Sequence, residues 1–267
     1  MNYLAINKKL WDDRTAIHCN SDFYDVKSFI EGKDSLNPIE IGLLGDLKYK
    51  KVLHLQCHFG MDSIALARRG GIVTGVDFST ESIKKARELN QTTKSKVRFI
   101  ESDVYSLKDT LDEKFDLVYT SYGVIGWLPD MNKWAALISE FLKPGGQFVM
   151  VEFHPVLWMF NDDFQRIEYK YSDTQPILED LTGTYTDRNA SINNKSVTWN
   201  HGLAKVVDAL IKKGLTISDF QEYDYSPYDC FENTVRVEEG KFQIKGLEGI
   251  IPMVYSITAI KAESKNT

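Results

Sequence analysis

Five short stretches of the chain place polar, titratable or small residues directly after runs of β-branched and aliphatic side chains: Gln56-Cys57-His58-Phe59-Gly60-Met61-Asp62, Asp77-Phe78-Ser79, Glu101-Ser102-Asp103-Val104, Ser121-Tyr122-Gly123 and Glu152-Phe153-His154-Pro155. In an open parallel sheet such positions matter, because ligands sit outside the carboxyl ends of the strands. Asp77 lies seventeen positions past Gly60, close to the roughly twenty-residue spacing at which an acidic side chain meets ribose hydroxyls. A carboxylate there accepts two hydrogen bonds from a cis-diol. Asp103 offers an acceptor for the exocyclic amine of a purine. Either aspartate also suits the cap of a following helix, and only their ordered company favours a ligand. His54, Cys57 and His58 look superficially like metal ligands, but no second Cys or His pair stands at tetrahedral-site spacing. No metal is therefore expected.

Elements able to hold these residues alternate along the chain. Strands are predicted at Val52 to Gln56, Ile72 to Asp77, Val97 to Ile100, Phe115 to Thr120 and Gln147 to Glu152, with helical periods between them, the pattern of a parallel sheet with crossover helices. The clearest helix presents Trp134, Leu137, Ile138, Phe141 and Leu142 on one face, with Asp130 as cap and Lys143-Pro144-Gly145-Gly146 as stop. Leu203, Val206, Val207, Leu210 and Ile211 repeat that spacing before a strand at Leu215 to Tyr223. A last strand, Met253 to Ile260, follows no clear helix and is expected antiparallel to its predecessor. Residues 1–45 read as a helical segment, and 46–267 as the main domain. Within that domain, residues 155–200 form an aromatic-rich insertion too long to be a bare loop.

The stretches Val52-Leu53-His54-Leu55-Gln56-Cys57-His58-Phe59-Gly60, Gly75-Val76-Asp77-Phe78-Ser79, Ser102-Asp103, Phe115-Asp116-Leu117-Val118 and Leu142-Lys143-Pro144-Gly145-Gly146 resemble, in order, those of the class I S-adenosylmethionine-dependent methyltransferases. The resemblance covers about residues 50 to 153. It implies an α/β, Rossmann-like seven-stranded sheet with an antiparallel last strand and helices on both faces, the insertion following the fifth strand. It further implies S-adenosylmethionine as cofactor, with Asp77 on the ribose, Asp103 on the adenine amine, the Val104 backbone at the ring, and the turn from Gln56 to Gly60 on the methionine portion. Cys57, His58, Phe78, Ser79 and Ser121 are expected to complete that site. The family's first motif normally reads acidic-x-Gly-x-Gly-x-Gly. Here His54 takes the acidic place and Gln56 and His58 take two glycine places, as in a subgroup reading Leu-Gln-Cys-His-Phe-Gly. Asp62 is then a candidate partner for the cofactor ammonium.

Methyl transfer from a sulfonium needs alignment and exclusion of water more than covalent chemistry. For a protonated acceptor the strand tips offer His154 as base, with Tyr122 behind it. Trp11, Tyr24, Trp127, Trp158 and Tyr169 are expected to wall the acceptor pocket, with residues 1–45 covering the site and the insertion serving as lid or substrate subdomain. Arg166 or Arg188 is available to an acceptor carboxylate. Composition bounds the partners. The 267 residues are 43% hydrophobic, with 32 basic against 38 acidic side chains and a net charge of −6, which disfavours nucleic acid or an anionic membrane surface. Three cysteines and a polar amino terminus point to free thiols in a cytoplasmic protein, a monomer or homodimer acting on a small molecule. Two alternatives compete: a non-catalytic binder of the same cofactor, and a nicotinamide-dependent oxidoreductase, which lacks the Gly-x-Gly-x-x-Gly turn it requires.

Overall fold

The computed structural model describes residues 2–263. Seven strands form the central sheet: β1 (Lys51–Leu55), β2 (Ile72–Asp77), β3 (Arg98–Glu101), β4 (Phe115–Ser121), β5 (Leu142–Phe153), β8 (Leu215–Tyr223) and β11 (Val254–Lys261), in the order β3-β2-β1-β4-β5-β11-β8. The first five are mutually parallel, while β11 runs antiparallel to both β5 and β8. Strand order therefore reverses between β1 and β4, which opens the crevice where such sheets hold ligands.

Side-chain alternation along each strand divides the core. On β1, Leu53 and Leu55 join the cluster under α6 (Met131–Phe141) and α7 (Leu203–Lys212), where Trp134, Phe141 and Leu210 are buried. Val52 points the other way, into Ile64, Leu66 and Ile83 of α4 (Met61–Arg68) and α5 (Thr80–Thr92). The aliphatic spacing read in α6 is thus the face it buries, and Asp130 caps that helix by accepting from the Asn132 and Lys133 amides; in α7 Val206 and Leu210 are buried, while Ile211 is exposed. Most strand limits fall within one residue of expectation, and the start of the fifth departs furthest. The fifth strand begins at Leu142, which pairs with Phe115, and residues 143–146 form a bulge before Gln147 pairs with Leu117. Gly145, at φ 72°, supplies the left-handed residue that such a bulge favours.

Three further regions close over the carboxyl ends of the strands. The first holds α1 (Tyr3–Cys19), α2 (Val26–Glu31) and α3 (Pro38–Leu44). The insertion folds as an antiparallel hairpin, β6 (Ile177–Thr182) with β7 (Asn193–Thr198). A second hairpin, β9 (Thr234–Glu238) with β10 (Lys241–Ile244), lies between β8 and β11 in a stretch that the sequence marks only by turn residues. Helix α1 is bound to β7 as a strand would be: the Asn7 side chain donates to the Val197 carbonyl at 2.7 Å and accepts from the Val197 amide at 2.9 Å. The segment and the insertion are thereby joined. Among the described residues no helix is long and apolar enough to cross a membrane.

Candidate active site

The turn after β1 keeps a glycine-type backbone without the glycines. Gln56 and His58 sit at φ 54° and 49°, and Gly60 at 82°. Left-handed geometry costs a residue with a β-carbon about 1–2 kcal/mol, so something must hold it. The His58 amide donates to Asp77 Oδ2 at 2.8 Å, while the imidazole bridges Ser82 at 3.0 Å and His18 at 2.9 Å. Gln56 Nε2 donates to the Val124 carbonyl at 2.8 Å. Gly60 serves packing as well as φ: a β-carbon there would lie 2.6 Å from the Phe99 ring.

Asp77, at the tip of β2, accepts only two backbone amides, those of His58 and Ser79. Burial pushes its carboxyl up to about 6, against the opposing effect of those two bonds. Asp62, in the first turn of α4, accepts from Ser35 Oγ at 2.7 Å and Ser121 Oγ at 3.5 Å, and burial likewise raises it to about 6. Both line a cavity of about 870 Å³ above the β1–β4 crevice. Helix α1 closes one side of it, Trp11 standing edge-on to His58 and Trp127 at 5.2 and 5.3 Å between ring centres. Opposite, the Tyr122 hydroxyl donates to Glu40 Oε2 at 3.0 Å. Glu40 is fully buried on α3 and pushed up to about 7, first by burial and then by the charge of Asp62.

Beyond Gln56, Phe78 and Trp127 lies a second, much smaller space of about 20 Å³, lined by Asp103 and Val104 and covered by Tyr3, Leu4 and Asn7 of α1. Asp103 caps its own turn by accepting from the Tyr105 amide at 3.1 Å, as the cap reading required. The first turns of α1 are held down there. Lys8 donates to the Phe78 carbonyl and pairs with Glu101 at 2.9 Å, and Asp12 accepts from Ser79 Oγ and the Glu81 amide.

The structure brings Gln56, Cys57, His58, Gly60, Asp62, Asp77, Phe78, Ser121 and Tyr122 to one cavity with Trp11, Tyr24, Trp127 and Trp158. Asp103 and Val104 border the small space, and Ser79 is buried beneath Asp12. Two expectations are corrected. His154 does not reach the cavity, because its ring is tied to Glu222 at 2.8 Å and to the Val156 amide. Tyr169 lies outside as well, its hydroxyl donating to Glu179 at 2.7 Å. Of the two arginines offered to a carboxylate, Arg166 pairs with Glu168, and Arg188 reaches the cavity already paired with Glu232. Burial raises the Cys57 thiol well above its ordinary range, which leaves it a packing residue. Sequence reasoning missed Arg14, Glu40, Tyr185 and Tyr228. Arg14 carried a signal, since it follows Trp11 by three positions and so shares its helix face.

Residues 52–146 match the family model for a methyltransferase domain. Over 130 residues the chain is 28% identical to the ubiquinone biosynthesis O-methyltransferase of Photorhabdus laumondii, covering 47% of this chain and 54% of that protein. Its counterpart from Idiomarina loihiensis is 30% identical over 131 residues, 48% of this chain and 54% of that one. The chain thus spans about half the length of these curated relatives. Among solved structures, an S-adenosylmethionine-dependent methyltransferase from Clostridium acetobutylicum superposes with a TM-score of 0.58 at 17% identity, over 97% of this chain and 99% of the other. The magnesium protoporphyrin IX methyltransferase of Synechocystis, solved with bound S-adenosylhomocysteine, gives 0.52 at 15% identity over 96% and 100%. Those two likenesses show the fold. Residues 52–146 are thus similar to a methyltransferase domain, set in the fold that these solved structures share.

Proposed function

We propose that the protein transfers the methyl group of S-adenosylmethionine to a small-molecule acceptor held in the 870 Å³ cavity. The observation that carries this reading is Asp77, a buried carboxylate at the tip of β2 that borders the cavity with only two of its roughly four acceptor sites taken. The donor set fits the cofactor. Among the described residues Gln56 Oε1, at the junction of the two spaces, is a buried acceptor with no donor, and Asp62 is a half-buried carboxylate paired with no cation. On this reading Asp77 holds the ribose hydroxyls, Asp103 and the Val104 backbone hold the adenine edge, and Asp62 receives the ammonium. A purine beside Asp103 needs more room than that small space offers, so the first turns of α1 must lift to admit it.

When bound, the cofactor supplies a methyl group activated by its sulfonium. The protein supplies the remainder. Trp11, Trp127 and Tyr24 exclude water, and Tyr122 takes the acceptor's proton while passing its own to Glu40, whose raised pKa makes it a working base near neutrality. An oxygen acceptor is supported by the relatives' designation as O-methyltransferases. Calorimetric titration with S-adenosylhomocysteine tests the reading. Asp77→Ala is expected to weaken binding at least tenfold, about 1.4 kcal/mol, by removing charge-assisted hydrogen bonds. Equal affinity in wild type and variant would remove Asp77 from the site.

A further inference from the structure

Arg14, in the cavity wall, carries a positive charge that no carboxylate among the described residues answers. It is 7% exposed, its Nε has no hydrogen-bond partner among the described residues, and burial lowers its pKa from the ordinary arginine value. No carboxylate among the described residues pairs with it. Among the acids of the cavity, Asp62 accepts from Ser35 and Ser121, Asp77 accepts two amides, and Glu232 is held by Arg188, the other arginine of the wall. The guanidinium lies over the Trp11 ring, 5.7 Å from its centre, and the side chain lines the cavity. A buried charge left unpaired destabilises a fold, and such a group is retained where a ligand completes it.

We propose that Arg14 is the anchor for a carboxylate of a ligand held in the cavity. The inference rests on the cavity being the ligand site, and it gives a cationic partner to an anionic group for which the methyl-transfer reading assigns no residue. A guanidinium presents parallel N–H groups that match a carboxylate in two bonds, whereas a neutral hydroxyl would leave the charge unanswered. Such a carboxylate can belong to the amino-acid end of the cofactor or to an acidic acceptor.

The test uses the intact protein and the variants Arg14→Met, which keeps the packing of the stem, and Arg14→Lys, which keeps the charge but not the fork. The probes are S-adenosylhomocysteine, its carboxylate-free relative methylthioadenosine, and 4-hydroxybenzoate added with methylthioadenosine present. Without ligand, Arg14→Met is expected to melt above wild type. If the cofactor supplies the carboxylate, the variant loses at least tenfold in affinity for S-adenosylhomocysteine and none for methylthioadenosine. If an acidic acceptor supplies it, both nucleosides bind as before and 4-hydroxybenzoate binding is lost, with Arg14→Lys intermediate in either case. A variant that melts no higher than wild type, or that binds all three probes unchanged, overturns the proposal. Failure of wild type to bind either nucleoside would overturn the cofactor reading instead, and leave the melting comparison to decide Arg14.

Discussion

The tips of β2 and β5 each carry a buried carboxylate, and they are built differently. Asp77 accepts two backbone amides and borders the cavity with acceptor sites to spare. Glu152 accepts four, from Gly123, Val124, Ile125 and Phe153, and so ties the loop after β4 to the end of β5. Two residues on, His154 is spoken for by Glu222 and Val156, while His58 after β1 stands inside the cavity wall. Position at a strand tip therefore nominates a residue, and the shortage of protein partners selects it. The Glu152 carboxylate is saturated; the Asp77 carboxylate is not.

Acid tests both sides at once and has the largest expected effect. Burial holds His18 near 2, His54 and His58 near 3, and His201 near 4, all depressed from 6.5. Below pH 6.5 the unfolded chain takes up protons that the folded chain refuses, so stability falls as pH falls. Asp62 and Asp77, raised to about 6, and Glu40, raised to about 7, act in the opposite sense, because the folded state is the one that gains protons as pH drops from 7 to 4. The three acids offset only part of the four histidines in that window. Denaturant titrations should show stability falling by about 1–2 kcal/mol per pH unit between pH 6 and 4, and by somewhat more per unit below pH 4, where the acids no longer offset the histidines.

Next in size is Glu152→Ala, which strands four backbone donors and should lower unfolding free energy by about 3 kcal/mol or more in urea, against a smaller loss for Asp77→Ala. The comparison sharpens further at the proton. Tyr122→Phe should reduce turnover roughly 100-fold with S-adenosylhomocysteine affinity unchanged, since it removes the hydroxyl that carries the acceptor's proton to Glu40. His154→Ala should alter neither, because its ring stays outside the cavity, and a loss of turnover there would reverse the assignment of the two residues.

Much of the sheet was legible because its signals are local. The β2 and β8 limits match the predicted ones, and Asp130 with the 134–142 spacing places α6, since alternation, caps and apolar stripes are written within one element. The β9–β10 hairpin escaped because it is short, half exposed and only weakly alternating. At the site, Asp77 and the turn residues could be found from order and spacing. Arg14 and Glu40 could not be placed from spacing alone, because their roles depend on where α1 and α3 dock. Asn7 against Val197 and Asn37 against Tyr228 fix that docking across 190 and 191 positions, a separation no local pattern records. His154 misled for the converse reason, its partner Glu222 lying 68 positions downstream on a neighbouring part of the sheet.

The central claim is that nucleoside recognition belongs to the tips of β2 and β3. The most direct measurement is the diffraction structure of the protein with S-adenosylhomocysteine bound. The account predicts ribose hydroxyls on the Asp77 carboxylate, adenine beside Asp103 and Val104, and the first turns of α1 displaced to make room. A nucleoside seated among Trp158, Phe231 and Tyr228 with Asp77 still holding only its two amides would contradict it.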